Sequence, residues 1–267
     1  MNISNHQWFK FNPNSPSFSH YQPHKLIVPR ATPIYAKDLI SPFPSNTTQL
    51  KIEIPLNIPL DSLPHNLTRL EITNYFNQPI SLSSFTSLTH LWLGPQFNQP
   101  VDSLLPRSLL YLDLGNSFNL PLLNLPPSLT CLILHDEFRQ DVSHLPSSLT
   151  YLDLGDRFNL PIDNLPPSLQ TLKLGRRFDH PVDNLPIHLK SLFINSYFFN
   201  KPVDNLPPTL THLEISGTGF NQPVNKLPFT LTHLTLGKEF NHPLTQLPPN
   251  LQSLTVMSEF FFQKIMF

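Results

Sequence analysis

Leucines recur along this chain in a grouping that neither an α-helix nor a long strand produces. In Leu129-x-x-Leu132-x-Leu134 the last two alternate with one intervening residue, the period of a short β-strand whose successive side chains face opposite ways. Phenylalanines punctuate the same pattern at 76, 97, 118, 138, 158, 178, 199, 220, 240 and 260, always 20 or 21 residues apart, and Leu56 holds the equivalent place ahead of Phe76. Self-similarity at so short a period predicts a solenoid, in which no coil buries its apolar face alone and each depends on its neighbours. The array is predicted to start near residue 43, where Phe43-Pro44 and Leu50-Lys51-Ile52 match Leu63-Pro64 and Leu70-Glu71-Ile72, and to run to about residue 260.

One clean coil runs from Phe118 to Leu134 as F-N-x-P-L-x-x-L-P-x-x-L-x-x-L-x-L. Its strand segment, stacked on equivalent segments, predicts a parallel sheet. The return path carries two prolines five apart, as in Pro161 and Pro166, which remove donors and block a helix interior. An extended return follows, with a 3₁₀ turn at Pro-x-Ser-Leu. The phenylalanine, two return-path leucines and three strand-side leucines form a central column, each buried side chain contributing about 1.5–3 kcal/mol before entropy. The Asn that follows most of the phenylalanines (57, 77, 98, 119, 159, 200, 221 and 241, with Arg139 and Asp179 as departures) predicts a ladder whose amides satisfy backbone groups of adjacent coils. Extra residues near Ser83-Ser84-Phe85 and Gly217-Thr218-Gly219 are expected to emerge as small bulges on loops.

The motifs Phe76-Asn77-Gln78-Pro79, Phe97-Asn98-Gln99-Pro100 and Phe158-Asn159-Leu160-Pro161 resemble the FNIP repeats, a branch of the leucine-rich repeats typical of social amoebae and of giant viruses that infect amoebae. The resemblance covers most of the chain. It implies a β-rich, leucine-rich-repeat-like solenoid of about ten 20–21-residue coils, with a parallel sheet and an extended proline-containing return path. It also implies a non-enzymatic role in protein–protein interaction, with a host protein as one class of partner. Some members carry an F-box ahead of the repeats; here residues 1–42 are rich in Pro, Ser, Asn and His without helical period. The expected division is a leader or N-terminal cap at 1–42, the solenoid at 43–260 and an apolar C-terminal cap at 261–267.

Composition narrows the function further. With 39% hydrophobic and only 13% charged residues the chain should fold through apolar burial. Lys and Arg number 17 against 18 Asp and Glu, a balance without the basic cluster that phosphate binding needs, so no nucleic acid is expected as partner. No 18-residue apolar run occurs, and no membrane span is expected. Cys131 alone forms no intrachain disulfide, and the start lacks an apolar signal run; both suit an intracellular, cytoplasmic protein, in host cytoplasm if the chain is viral.

If the strand leucines face inward, the residues between them face out and are free to vary. Trp92, Tyr111, Ile133, Tyr151 and Phe193 offer apolar anchors, and Asp113, Asp153 and Glu214 offer charged groups, the mixture found at interface hot spots. A protein partner of unknown identity is therefore expected on this exposed sheet face through Trp92, Tyr111, Asp113, Ile133, Tyr151, Asp153 and Phe193. Rival readings are a structural, self-assembling or virion-associated protein, and a substrate receptor in ubiquitin ligation. No catalytic residue and no cofactor are expected: a catalytic Asn in nearly every coil makes no chemical sense, Cys131 lacks a neighbouring His, and seven glycines scarcely supply a phosphate loop. His212 and His233 share a column and can in principle converge on zinc, but a tendency toward His ahead of that leucine accounts for them, and no metal site is expected.

Overall fold

The computed structural model describes residues 47–52, 60, 63–73 and 75–258. The predicted leader at 1–42, the first coil's Phe43, the positions Leu56, Asn57 and Phe260, and the cap at 261–267 lie outside the described residues. Eleven short strands form one sheet: β1 Gln49–Ile52, β2 Arg69–Ile72, β3 His90–Trp92, β4 Tyr111–Asp113, β5 Cys131–Ile133, β6 Tyr151–Asp153, β7 Thr171–Leu174, β8 Ser191–Ile194, β9 His212–Ile215, β10 His233–Leu236 and β11 Ser253–Val256. Their spatial order is their sequence order, and every pairing is parallel. Among the described residues there is no α-helix. The register is set by the repeat itself, pairing Leu112 with Leu132 and Leu132 with Leu152; a one-residue slip would turn every leucine to solvent.

The phenylalanines make the spine. Phe76, Phe97, Phe118, Phe138, Phe158, Phe178, Phe199, Phe220 and Phe240 are all fully buried. From Phe76 to Phe158 successive rings stack within 10° of parallel at 6.0–6.3 Å, as from Phe97 to Phe118 (6.2 Å) and from Phe118 to Phe138 (6.3 Å), and from Phe178 to Phe240 they stack at 6.0–6.3 Å with tilts of up to 26°. The strand leucines line the same interior, while the second return-path leucine sits at its margin: Leu125 and Leu185 are only partly buried.

The return path is extended and carries two kinds of turn. One is the expected turn after the leucine–proline step, Leu129 N–H to Pro126 O (3.1 Å) and Leu169 N–H to Pro166 O (3.1 Å); the other lies just before the phenylalanine, as in Phe97 N–H to Gly94 O (3.0 Å). So irregular a path leaves carbonyls and amides in need of partners, and three side-chain ladders supply them. Asn77, Asn98 and Asn119 each accept from the backbone N–H one coil on, at Asn98 (2.9 Å), Asn119 (3.0 Å) and Arg139 (3.0 Å). The ladder is exposed, hence an edge feature; it lapses after Arg139, whose guanidinium cannot accept, and resumes from Asn159 to Asp179 (2.9 Å). Sequence reading missed the other two. Ser128, Ser148 and Ser168 donate to Leu109, Leu129 and Leu149 carbonyls at 2.6–2.8 Å, and the threonine ahead of many strands donates likewise, as Thr150 to Thr130 O (3.0 Å).

The inserted residues behave differently from the expected surface bulges at one site. Phe85 is fully buried and stacks on His65 at 4.7 Å, so that insertion enlarges the core. The extra residue in the next coil is absorbed at Ser103 (φ 61°), beside an inter-coil bond from Leu82 N–H to Leu104 O (2.8 Å). At the other insertion Gly217 packs so closely on Ser196 that a Cβ would sit 1.7 Å from its carbonyl oxygen. That approach requires glycine.

Phe158→Ala should cost about 3–5 kcal/mol by urea unfolding, since it empties a spine position between filled neighbours. Asn119→Ala, which strips the acceptor from the Arg139 amide and from Gln140 Nε2 (3.1 Å) at an exposed edge, should cost only about 1 kcal/mol by the same measurement.

Candidate docking face on the open side of the sheet

The registers put the predicted outward residues into two straight columns, one holding Arg69, His90, Tyr111, Cys131, Tyr151, Thr171, Ser191, His212 and His233, the other Glu71, Trp92, Asp113, Ile133, Asp153, Lys173, Phe193, Glu214 and Thr235. They differ in access. The first column sinks from view in the middle of the sheet, where Cys131 and Tyr151 are 3% exposed, Thr171 4% and Ser191 6%; the second stays half-buried throughout. Tyr151 is therefore not the exposed anchor that alternation implied; Lys173 on the adjacent strand lies over its ring, at a position that alternation alone sends to solvent.

Trp92 and Tyr111 form one cluster near β3. Trp92 Nε1–H donates to the Tyr111 hydroxyl (3.0 Å), the rings lie 4.5 Å apart, His90 stacks on both at 5.8 Å, and Arg69 lies over the Trp92 ring at 4.9 Å. Burial, followed by the Arg69 charge, lowers the His90 pKa to about 4. Burial foremost, with the Asp113 charge behind it, raises the Tyr111 hydroxyl far above its ordinary value despite the Trp92 bond.

Asp113 and Asp153 are not free rim charges. Each accepts from the amide two residues on, Gly115 (2.9 Å) and Gly155 (3.1 Å), and those glycines turn the chain at φ near +70°. Asp113 also meets His135 Nε2 at 2.9 Å. Burial works against the His135 imidazolium, but the Asp113 hydrogen bond and the Asp113, Asp153 and Asp136 charges outweigh it and the pKa rises. Asp153 is raised by burial, against the Gly155 amide and the Lys173 and His135 charges. The Cys131 thiol is pushed well up by burial and by Asp113 and Asp153, a setting that disfavours thiolate. Ile133 lies between the two aspartates in register.

From β6 to β10 the face is hollow. Asp153, Lys173, Phe193, Glu214, His212 and His233 line a concavity of about 660 Å³. Lys173 Nζ lies 5.6 Å from the Tyr151 ring and 5.7 Å from that of Phe193. His212 and His233 stack at 4.3 Å and 9°, a contact the column assignment placed but could not orient; among the described residues no group of three or more His, Cys, Asp or Glu is set to hold a metal ion. Two arginines are tied down between coils, Arg157 to Glu137 (2.6 Å) and Arg176 to Asp156 (3.1 Å). Among the described residues no helix is long and apolar enough to cross a membrane.

A single parallel sheet of coils about 20 residues long, closed by an extended return path, places the protein among the leucine-rich-repeat-like solenoids. The FNIP repeat profile matches residues 118–157, 141–176, 158–197, 199–239 and 220–258, and the chain belongs to the FNIP repeat family. It is similar to CroV588 of the giant virus CroV, described as a circular LRR protein, with 36% identity over 77% of this chain and a TM-score of 0.63. The chain spans 36% of that protein's length. It is also similar to the functional domain of InlJ from Listeria monocytogenes, with 21% identity over 72% of this chain and 49% of that one and a TM-score of 0.50, a likeness of fold alone. Among curated proteins no match is found.

The His90 environment makes stability pH-dependent. Its folded pKa lies below the value near 6.5 that the unfolded chain shows, so its contribution is complete above about pH 6.5 and is lost as pH falls toward 4, where the unfolded state takes the proton first. Urea midpoints should fall over that window in the native chain and less steeply in His90→Gln, and the His90 imidazole should titrate near pH 4 by NMR.

Proposed function

We propose that this chain is a non-enzymatic interaction scaffold that docks a protein partner in the hollow of the sheet face over β6–β10. One observation carries the reading: the concavity is walled by side chains that the repeat leaves free to vary, whereas the inward side repeats leucine after leucine. Aromatic surface at Phe193 lies within a polar surround of Lys173, Glu214 and Thr235, the anatomy of an interface centre. Eleven strands at about 4.8 Å spacing give a face on the order of 50 Å long, ample for a protein surface. Ile133 and Trp92 extend the same face toward β3, with the half-buried Tyr111, Asp113 and Asp153 beside them and the buried Tyr151 in the first column. The family's setting and the lone cysteine favour a cytoplasmic site of action, with a host protein as partner if the chain is viral.

Affinity capture from amoebal lysate tests this with the intact chain, Phe193→Ala and Thr235→Arg, each checked for native circular dichroism. One saturable partner should bind the intact chain and weaken at least about tenfold in both variants, the loss expected at a hot spot. Equal recovery in all three would remove the hollow face as the docking surface.

A further inference from the structure

Besides Lys173, the hollow contains a set of groups that accept hydrogen bonds. Thr211 Oγ1 lies 3.1 Å from the Lys190 carbonyl oxygen and 2.9 Å from His212 Nδ1; Thr232 Oγ1 lies 3.0 Å from the Thr211 carbonyl oxygen and 2.9 Å from His233 Nδ1. In each trio two short contacts need two protons. The carbonyl has none and the hydroxyl has one, so the imidazole Nδ1 must supply the other. In the neutral ring this places the proton on Nδ1 and leaves the Nε2 lone pair as acceptor. The rings are held parallel at 4.3 Å, so the two lone pairs do not converge on one ion. Beside them Glu214, half-buried on β9, is in register with Phe193 on one side and Thr235 on the other. Among the described residues no ion pair reaches Glu214, and Lys173 lies on β7, one strand beyond Phe193.

We propose that Glu214, His212 and His233 form the seat for an arginine side chain of the docked partner, with the Phe193 ring as one wall. This rests on the docking reading above and adds the partner's chemistry to it. A guanidinium carries five donors and no acceptor in a plane, which suits a carboxylate, two fixed imidazole acceptors and an aromatic face; an ammonium is a compact, strongly hydrated point charge that uses them less well. An acidic or phosphorylated segment would instead meet an uncompensated carboxylate.

The probes are fluorescein-labelled nona-arginine, nona-lysine and nona-citrulline, titrated by anisotropy into the full chain at low ionic strength. Nona-arginine should bind at one site several-fold tighter than nona-lysine, with nona-citrulline too weak to measure. Glu214→Gln should weaken nona-arginine about tenfold, as loss of a charge-assisted pair requires, while Glu239→Gln, an exposed control of equal charge change, should leave it unaltered. Thr235→Arg, placing a guanidinium beside Glu214, should block the peptide and raise the melting temperature. Equal effects of the two Gln variants, or equal affinity for nona-lysine, would overturn the arginine seat. If the captured partner still depends on Phe193 in that case, the docking face stands and only its assigned chemistry fails; if it does not, both fail.

Discussion

Every coil of this protein depends on the next one to keep its phenylalanine dry. A ring stacked at about 6 Å between two others has neighbours on both faces, and one coil of roughly 20 residues has no second layer with which to bury it. The interval of 20 or 21 residues follows from that constraint, because the chain must return to the same point of the axis after each circuit or the spine parts. The parallel register and the inward strand leucines are consequences of the same stacking. Nearest-neighbour dependence of this kind is what makes solenoid stability a sum of coil and interface terms.

The spine alone would leave an irregular return path with unmet polar groups. Prolines make that path stiff and reduce the donors to be satisfied, at the cost of any helix that would have paired the rest. The remaining groups are met from outside the coil: asparagine amides at one edge, serine hydroxyls on the turn carbonyls and threonine hydroxyls at the strand entrance. Each ladder joins coil to neighbour, so hydrogen bonding repeats the cooperativity that packing imposes. Where a residue cannot accept, as at Arg139, the ladder pauses while the spine continues.

The open face obeys a looser rule. Side chains there answer to cross-strand neighbours, and the middle of one column is buried while Lys173, between two rings, and the stacked His212 and His233 shape a hollow. Along the face burial lowers the pKa of His90 and His212 and raises that of Cys131, favouring neutral imidazoles and a thiol.

The period, the parallel sheet, the inward leucines, the turn after Pro126 and the asparagine ladder were all legible in the sequence, because each depends on a residue type recurring at a fixed interval and a solenoid converts interval directly into neighbourhood. The two outward columns were legible for the same reason. What the sequence could not yield was depth and direction within those columns. Tyr151 is buried and Ile133 half-buried, Asp113 and Asp153 turn back to cap glycine amides, and Phe85 fills the core from what reads as a loop insertion. Those outcomes depend on the volumes and hydrogen bonds of side chains brought together from different coils, which periodicity places side by side without saying which of them will close over the other; only the assembled sheet decides that.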